Sequence, residues 1–258
     1  MMVEALFREL AGLPQVEAIA LGGSRAGEVY DEKSDYDIYL YCTSAVEEDA
    51  RRSILEKYCS YMEIGNHFWE CEDNCVLNNG IDIDILFRDL DDFAEGVAAV
   101  VERHQAYNGY TTCMWHNLNT CKIIYDRDGR LRAVKERFSV PYPKQLKANI
   151  ISKNMKLIAD AMPAYQLQIA KAVRRGDLVS ISHRTAAFME SYFDIIWAMN
   201  ELTHPGEKRL VFLCKKQCSL LPADFEENID QLYTDLFTDL NRVNEDIAKI
   251  IFELKKVL

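Results

Sequence analysis

Leu21-Gly22-Gly23-Ser24-Arg25-Ala26-Gly27, followed by Ser34-Asp35-Tyr36-Asp37-Ile38-Tyr39-Leu40, is the stretch on which the reading of this chain turns. Val16 to Leu21 reads as a short buried strand that stops at two glycines, and Asp35 to Cys42 reads as a second strand. Residues two apart on a strand share a face, so Asp35 and Asp37 project side by side. Two adjacent carboxylates repel each other and are costly to desolvate unless a cation sits between them. Hard oxygen donors of this kind suit Mg²⁺ or Mn²⁺, which typically bridge to substrate phosphates. Gly22-Gly23-Ser24 upstream offers close backbone approach, N–H groups and one hydroxyl, which are the donors a polyphosphate needs. A turn aspartate and a solvated strand aspartate explain Asp35 and Asp37 singly, but not the residues before them.

A third strand, Ile81 to Phe87, alternates cleanly. Asp82 and Asp84 share one face, and Ile81, Ile83 and Ile85 share the other. A buried central strand rarely tolerates two carboxylates without a ligand, whereas a wet edge accommodates Asp82. Three carboxylates from two strands can hold two metal ions, one activating a hydroxyl and one stabilising a leaving phosphate oxygen.

Gly-Gly-Ser, a spacer, Asp-x-Asp and a later hydrophobic-Asp-hydrophobic strand, in that order, resemble the DNA polymerase β-type nucleotidyltransferase superfamily. The nearest members are small bacterial aminoglycoside- and lincosamide-type nucleotidyltransferases. The resemblance implies that Gly23 and Ser24, with Gly22 beside them, hold a nucleoside triphosphate, with ATP the first choice, and that Asp35, Asp37 and Asp84 hold divalent metal and carry catalysis. Arg25, just after Ser24, can neutralise part of the phosphate charge, and Asp84, beside the metals, is within reach to take the acceptor proton. Asp84 to Leu90 looks like the strand-to-helix junction of that superfamily, and Ile124 to Gly129 like the end of the same domain in small bacterial members. Asn200 to Arg209 looks like a segment of bacterial relatives in which Pro-Gly-x-Lys follows a helix. A lysine placed there, Lys208, could reach the triphosphate; a solvated loop lysine is the competing reading.

Charge sharpens these expectations. Across 258 residues the net charge is −11, and it is uneven: residues 1–140 carry 14 basic and 26 acidic side chains, residues 141–258 carry 16 and 15. A protein gripping nucleic acid through its phosphates would show the opposite bias. Acidity in the first part suits cations, so the balancing positive charge is expected from the second part, across a cleft. Met1 to Leu10 opens as an amphipathic helix rather than a signal peptide, and no apolar run reaches membrane-spanning length. The eight cysteines therefore read as free thiols of a cytoplasmic protein.

Helical spacing is expected over residues 2–12, from a Ser44 cap through Tyr58, and over Leu90 to His104, with residues 66–79 irregular. Lys122 to Tyr125 reads as a strand ending in a turn. After Pro141-Tyr142-Pro143 the pattern turns helical: 145–175 broken at Pro163, 178–201, and two segments between 223 and 257. The expected class is α+β. A nucleotidyltransferase domain over 1–140, with a small mixed sheet flanked by helices, precedes an all-α domain over 141–258 that forms the other wall of the cleft.

Trp69, Trp115 and Trp197 read as core or wall residues, and His67, His116, His183 and Arg184 lack a ligand-spaced cluster. The expected activity is transfer of a nucleoside monophosphate to a small hydroxylated acceptor with release of pyrophosphate. The alternatives are nucleotidylation of a protein or an RNA end, or a non-catalytic nucleotide sensor.

Overall fold

Leu6 and Leu10 lie four residues apart on α1 (Met2–Ala11), so one stripe of the helix is buried and the rest is wet. The computed structural model describes residues 2–27, 34–68 and 70–258. The stretch between Gly27 and Ser34, and Trp69, lie outside the described residues. Contacts divide the chain into two units: Met1–Ala98 with Asn117–Val140, and Ala99–His116 with Pro141–Leu258. The segment Ala99–His116, counted above with residues 1–140, groups with the second unit.

The first unit continues with β1 (Val16–Leu21), the single turn α2 (Gly23–Ala26), β2 (Tyr36–Cys42), α3 (Glu48–Leu55), β3 (Cys59–Asn66), β4 (Cys71–Leu77) and β5 (Asp82–Arg88). After α4 (Leu90–Val101) and α5 (Cys113–Thr120), which cross the division, come β6 (Lys122–Asp126) and α6 (Arg130–Arg137). The six strands form one mixed sheet in the order β3-β4-β5-β2-β1-β6. Among them only β2 and β5 pair in parallel, and they set Asp37 opposite Asp84.

Alternation sorts the two faces. Ile38, Leu40, Ile83 and Ile85 pack with Leu6, Leu10 and Leu55 in one apolar cluster. Asp37, Tyr39, Tyr41, Asp84 and Arg88 occupy the other face, where Tyr41 meets the edge of Phe93 from α4 at 5.5 Å.

Three expectations fail here. Ser44 does not cap α3: its N-cap is Glu47, with no side-chain capping bond. Glu48 and Asp49 in the first turn supply negative charge where the helix dipole favours it. Residues 66–79 are not irregular but hold the end of β3 and all of β4, which pairs with β5. The helix from Leu90 also stops at Val101, before His104, whose φ is +57°.

The second unit comprises α7 (Lys144–Met155), a π-helical turn over Lys156–Asp160, α8 (Tyr165–Arg175), α9 (Leu178–Met199), α10 (Leu210–Gln217), α11 (Phe225–Thr238) and α12 (Val243–Lys255). Pro163 falls in the break before α8. Gly176, at φ +63°, ends α8, and the Asp177 carboxylate accepts the Ser180 amide at 3.0 Å to start α9. Every residue from Ser191 to Met199 is buried, the mark of a helix surrounded by others. Trp197 lies in that apolar cluster, and Trp115 is buried within the same unit.

The protein is α+β, a mixed sheet with helices followed by a helical region. All eight cysteines are free thiols. Among the described residues no helix is long and apolar enough to cross a membrane.

Candidate active site

The end of β1 and the start of β2 meet because Gly22 donates its amide to the Asp37 carbonyl at 2.8 Å. The chain then turns through Gly23 at φ +58° into α2. A side chain at either glycine would collide. A Cβ on Gly22 would lie 2.5 Å from the Tyr39 ring, and one on Gly23 would lie 1.6 Å from Asp37 Oδ2. The turn is therefore closed over the Asp37 carboxylate, and the need for glycine arises from protein packing rather than from phosphate approach alone.

Asp35, Asp37 and Asp84 converge as the alternation required. Each can present a carboxylate oxygen such that the three oxygens lie within 4.8 Å of one another, and each residue is half-buried. Among the described residues Asp35 and Asp84 form no salt bridge. Three oxygen donors at this separation fit a hard divalent cation such as Mg²⁺ or Mn²⁺ and offer nothing to a soft one. Asp82 lies on the same face two residues earlier but is exposed and outside the cluster.

Arg25 has a backbone-anchoring role besides the phosphate role expected of it. Its side chain is only 9 % exposed. Its Nε donates to the carbonyls of Ser34 (2.7 Å) and Asp35 (3.2 Å), and the guanidinium lies 3.9 Å from the Tyr36 ring centre. Arg25 thus anchors the backbone that presents Asp35. Ser24 and Gly23 are exposed in the first turn of α2, where amides have no intrahelical acceptor.

Two residues escaped the sequence reading. Lys122, beside Leu21 in the β1–β6 register, reaches the Arg25 carbonyl with its Nζ at 3.3 Å, so a cation stands at the end of the α2 turn. Asn74 of β4 donates from Nδ2 to Asp84 Oδ1 at 2.8 Å. Neither has a local signal, since each owes its place to strand pairing.

Beneath the carboxylates, Tyr39 packs against Arg88, whose guanidinium lies 4.1 Å from the ring centre and forks onto Glu70 through two bonds of 2.6 Å. Burial pushes the Tyr39 phenol up to about 12, so it stays protonated at neutral pH. A hollow of about 570 Å³ lies elsewhere in this unit, walled by Phe7, Tyr36, Ile124 and Tyr125. Phe7 and Tyr36 belong to the apolar face, and none of the three aspartates lines the hollow.

Lys208 is exposed in the stretch between α9 and α10, after Gly206 at φ +105°. His204 in that stretch is fully buried, its amide accepted by Thr112 Oγ1 at 2.8 Å. His116 makes a 2.8 Å contact between Nδ1 and Thr203 Oγ1, and burial pushes its pKa down. His183 and Arg184 lie on α9 and belong to no metal-capable group among the described residues.

A family described as a domain of unknown function (DUF4037) matches residues 111–210. No curated protein matches the chain. Among solved structures, the chain is similar to a nucleotidyltransferase-like protein from Exiguobacterium sibiricum, at 10 % identity and TM-score 0.45, covering 99 % of this chain and 74 % of that one. It is also similar to an aminoglycoside 6-adenyltransferase from Bacillus subtilis, at 11 % identity and TM-score 0.31, with 99 % and 89 % covered. A third is the Thermotoga maritima CCA-adding enzyme complexed with tRNA, at 11 % identity and TM-score 0.31, with 98 % and 79 % covered.

Proposed function

We propose that this chain is a metal-dependent nucleotidyltransferase of the polymerase β-type superfamily. It moves a nucleoside monophosphate, AMP from ATP in the first instance, onto a hydroxyl of a small acceptor and releases pyrophosphate. The observation that carries the reading is the Asp35–Asp37–Asp84 cluster closed in by the Gly22-Gly23-Ser24 turn. A divalent cation bound by these carboxylates supplies charge neutralisation for the phosphates and lowers the pKa of a coordinated hydroxyl.

The remaining work falls to the chain. Ser24 Oγ and the first-turn amides of α2 bind phosphate oxygens. Arg25 holds the Asp35 backbone in place. Asp84 takes the acceptor's hydroxyl proton as that oxygen attacks the α-phosphorus. A new phosphoester bond forms, the bond from the α-phosphorus to the bridging oxygen breaks, and pyrophosphate leaves with the electron pair.

The test is pyrophosphate release from each of the four NTPs with Mg²⁺ and pools of small hydroxylated compounds. Release that needs both NTP and acceptor, and falls by on the order of 10²–10⁴-fold in Asp37→Asn and Asp84→Asn but little in Asp82→Asn, is expected. Label transferred to a protein or an RNA end instead would overturn the small-acceptor reading. No NTP-dependent thermal shift with Mg²⁺ present would overturn the nucleotide site itself.

A further inference from the structure

The sheet lays a row of polar side chains across four strands. Glu63 of β3 stands opposite Asn74 of β4, Asn74 opposite Asp84 of β5, and Asp84 opposite Asp37 of β2. Asn66, beyond an irregularity in β3, completes the row: its Nδ2 donates to Asn74 Oδ1 at 2.7 Å and to Glu63 Oε2 at 3.2 Å.

The direction of this chain of bonds is fixed by its ends. A carboxylate only accepts, so the amide nitrogen of Asn74 must face Asp84 and its oxygen must face Asn66. Asn66 in turn must offer its nitrogen to Asn74 and Glu63. Tyr61 and Asn66 both bond Glu63 and hold its carboxyl below the usual range, which keeps that end an acceptor. Asn74 has no second orientation that satisfies both Asn66 and Asp84.

We infer that Asn74 is a positioning residue for the third carboxylate: its amide fixes the rotation of the Asp84 carboxyl, so that one oxygen is held by Nδ2 and the other is aimed at Asp35 and Asp37. This rests on the reading of the three aspartates as a divalent-cation site. A neutral donor suits the task better than a cation would. Lysine or arginine at position 74 would neutralise Asp84 and compete with the metal, whereas an amide orients the carboxylate and leaves its charge available.

The experiment titrates Mn²⁺ alone into the intact protein, counting free ion by electron paramagnetic resonance, for wild type, Asn74→Leu, Asp84→Asn and the double variant. Leucine keeps the shape of asparagine and removes both polar atoms. A 10–100-fold weaker Mn²⁺ affinity in Asn74→Leu is expected, with metal-free melting close to wild type and no further weakening when the change is added to Asp84→Asn. A metal-free melting point that drops while Mn²⁺ affinity holds would make Asn74 merely structural and overturn the inference. Full additivity of the two changes would also overturn it, because Asn74 would then not act through Asp84. Wild type and Asp84→Asn binding Mn²⁺ alike is a different failure: it removes the metal site, and with it the proposed function and this inference together.

Discussion

Asp73 and Asp84 stand on neighbouring strands of the same sheet, yet they are settled in opposite ways. Asp73 points into the apolar face, fully buried, and pairs there with Arg51 of α3 while accepting the Gly65 amide at 2.9 Å. Burial still pushes its pKa up, because desolvation outweighs the stabilisation from its partners. Asp84 faces the other side, half-buried, and its hydrogen-bond partner is the neutral amide of Asn74. Where a carboxylate serves the fold, the chain brings the counter-charge from another helix. Where Asp84 joins the cluster of three carboxylates, a neutral amide stands beside it instead.

The contrast breaks most visibly at Arg51. Arg51→Ala leaves Asp73 buried without its cation, and a loss of ~3–5 kcal/mol of stability is expected by denaturant unfolding. Asp35→Asn, by contrast, removes one of three repelling charges, so its metal-free melting point should equal or exceed that of wild type.

Asp194 in the second unit shows a third solution, neither ion pair nor open cluster. It is 1 % exposed and receives Thr111 N at 3.0 Å, Thr111 Oγ1 at 2.7 Å and Asn154 Nδ2 at 3.0 Å. Burial nevertheless pushes its pKa up to about 6, above the ~3.9 of an unfolded chain. The folded state then binds the extra proton between these values, so stability falls as pH rises from about 4 to 6 and levels off above. The slope amounts to roughly 2–3 kcal/mol. Urea titrations at several pH values should show it in wild type and show it flattened in Asp194→Asn.

Gly23→Ala comes next in size. The positive φ costs about 1–2 kcal/mol for a residue with a Cβ, and the methyl group must displace the Asp37 carboxylate. Calorimetry should find Mn²⁺ binding lost with only a modest drop in melting point. The smallest effects are at the phosphate end and on the surface. Ser24→Ala should raise the NTP KM by ~1–2 kcal/mol of binding, and Lys208→Ala, at an exposed position, should leave stability unchanged.

The aspartates were legible because their order and alternation are local: Asp-x-Asp and Ile-Asp-Ile-Asp-Ile state their faces outright. What could not be read depends on partners distant in sequence. Cys71 to Leu77 carries Glu72, Asp73 and Asn74 in succession and looks like a loop, because the residues that satisfy it, Arg51 and Asp84, come from α3 and β5. Arg25 beside a glycine-rich turn invites a phosphate assignment, and only the folded chain shows its Nε engaged by two backbone carbonyls. Lys122 is an ordinary strand lysine until β6 is paired with β1.

The parallel pairing of β2 with β5 joins strands separated by a long excursion through α3, β3 and β4. Sliding β5 by one residue would bring Ile83 or Ile85 beside Asp37 and turn the isoleucine row out of the core. A divalent ion spanning Asp37 and Asp84, as proposed, would bind only the unshifted pairing, so its binding energy would add to that alignment alone. The same atoms that would perform chemistry would then also act as a proofreader of how the sheet was assembled.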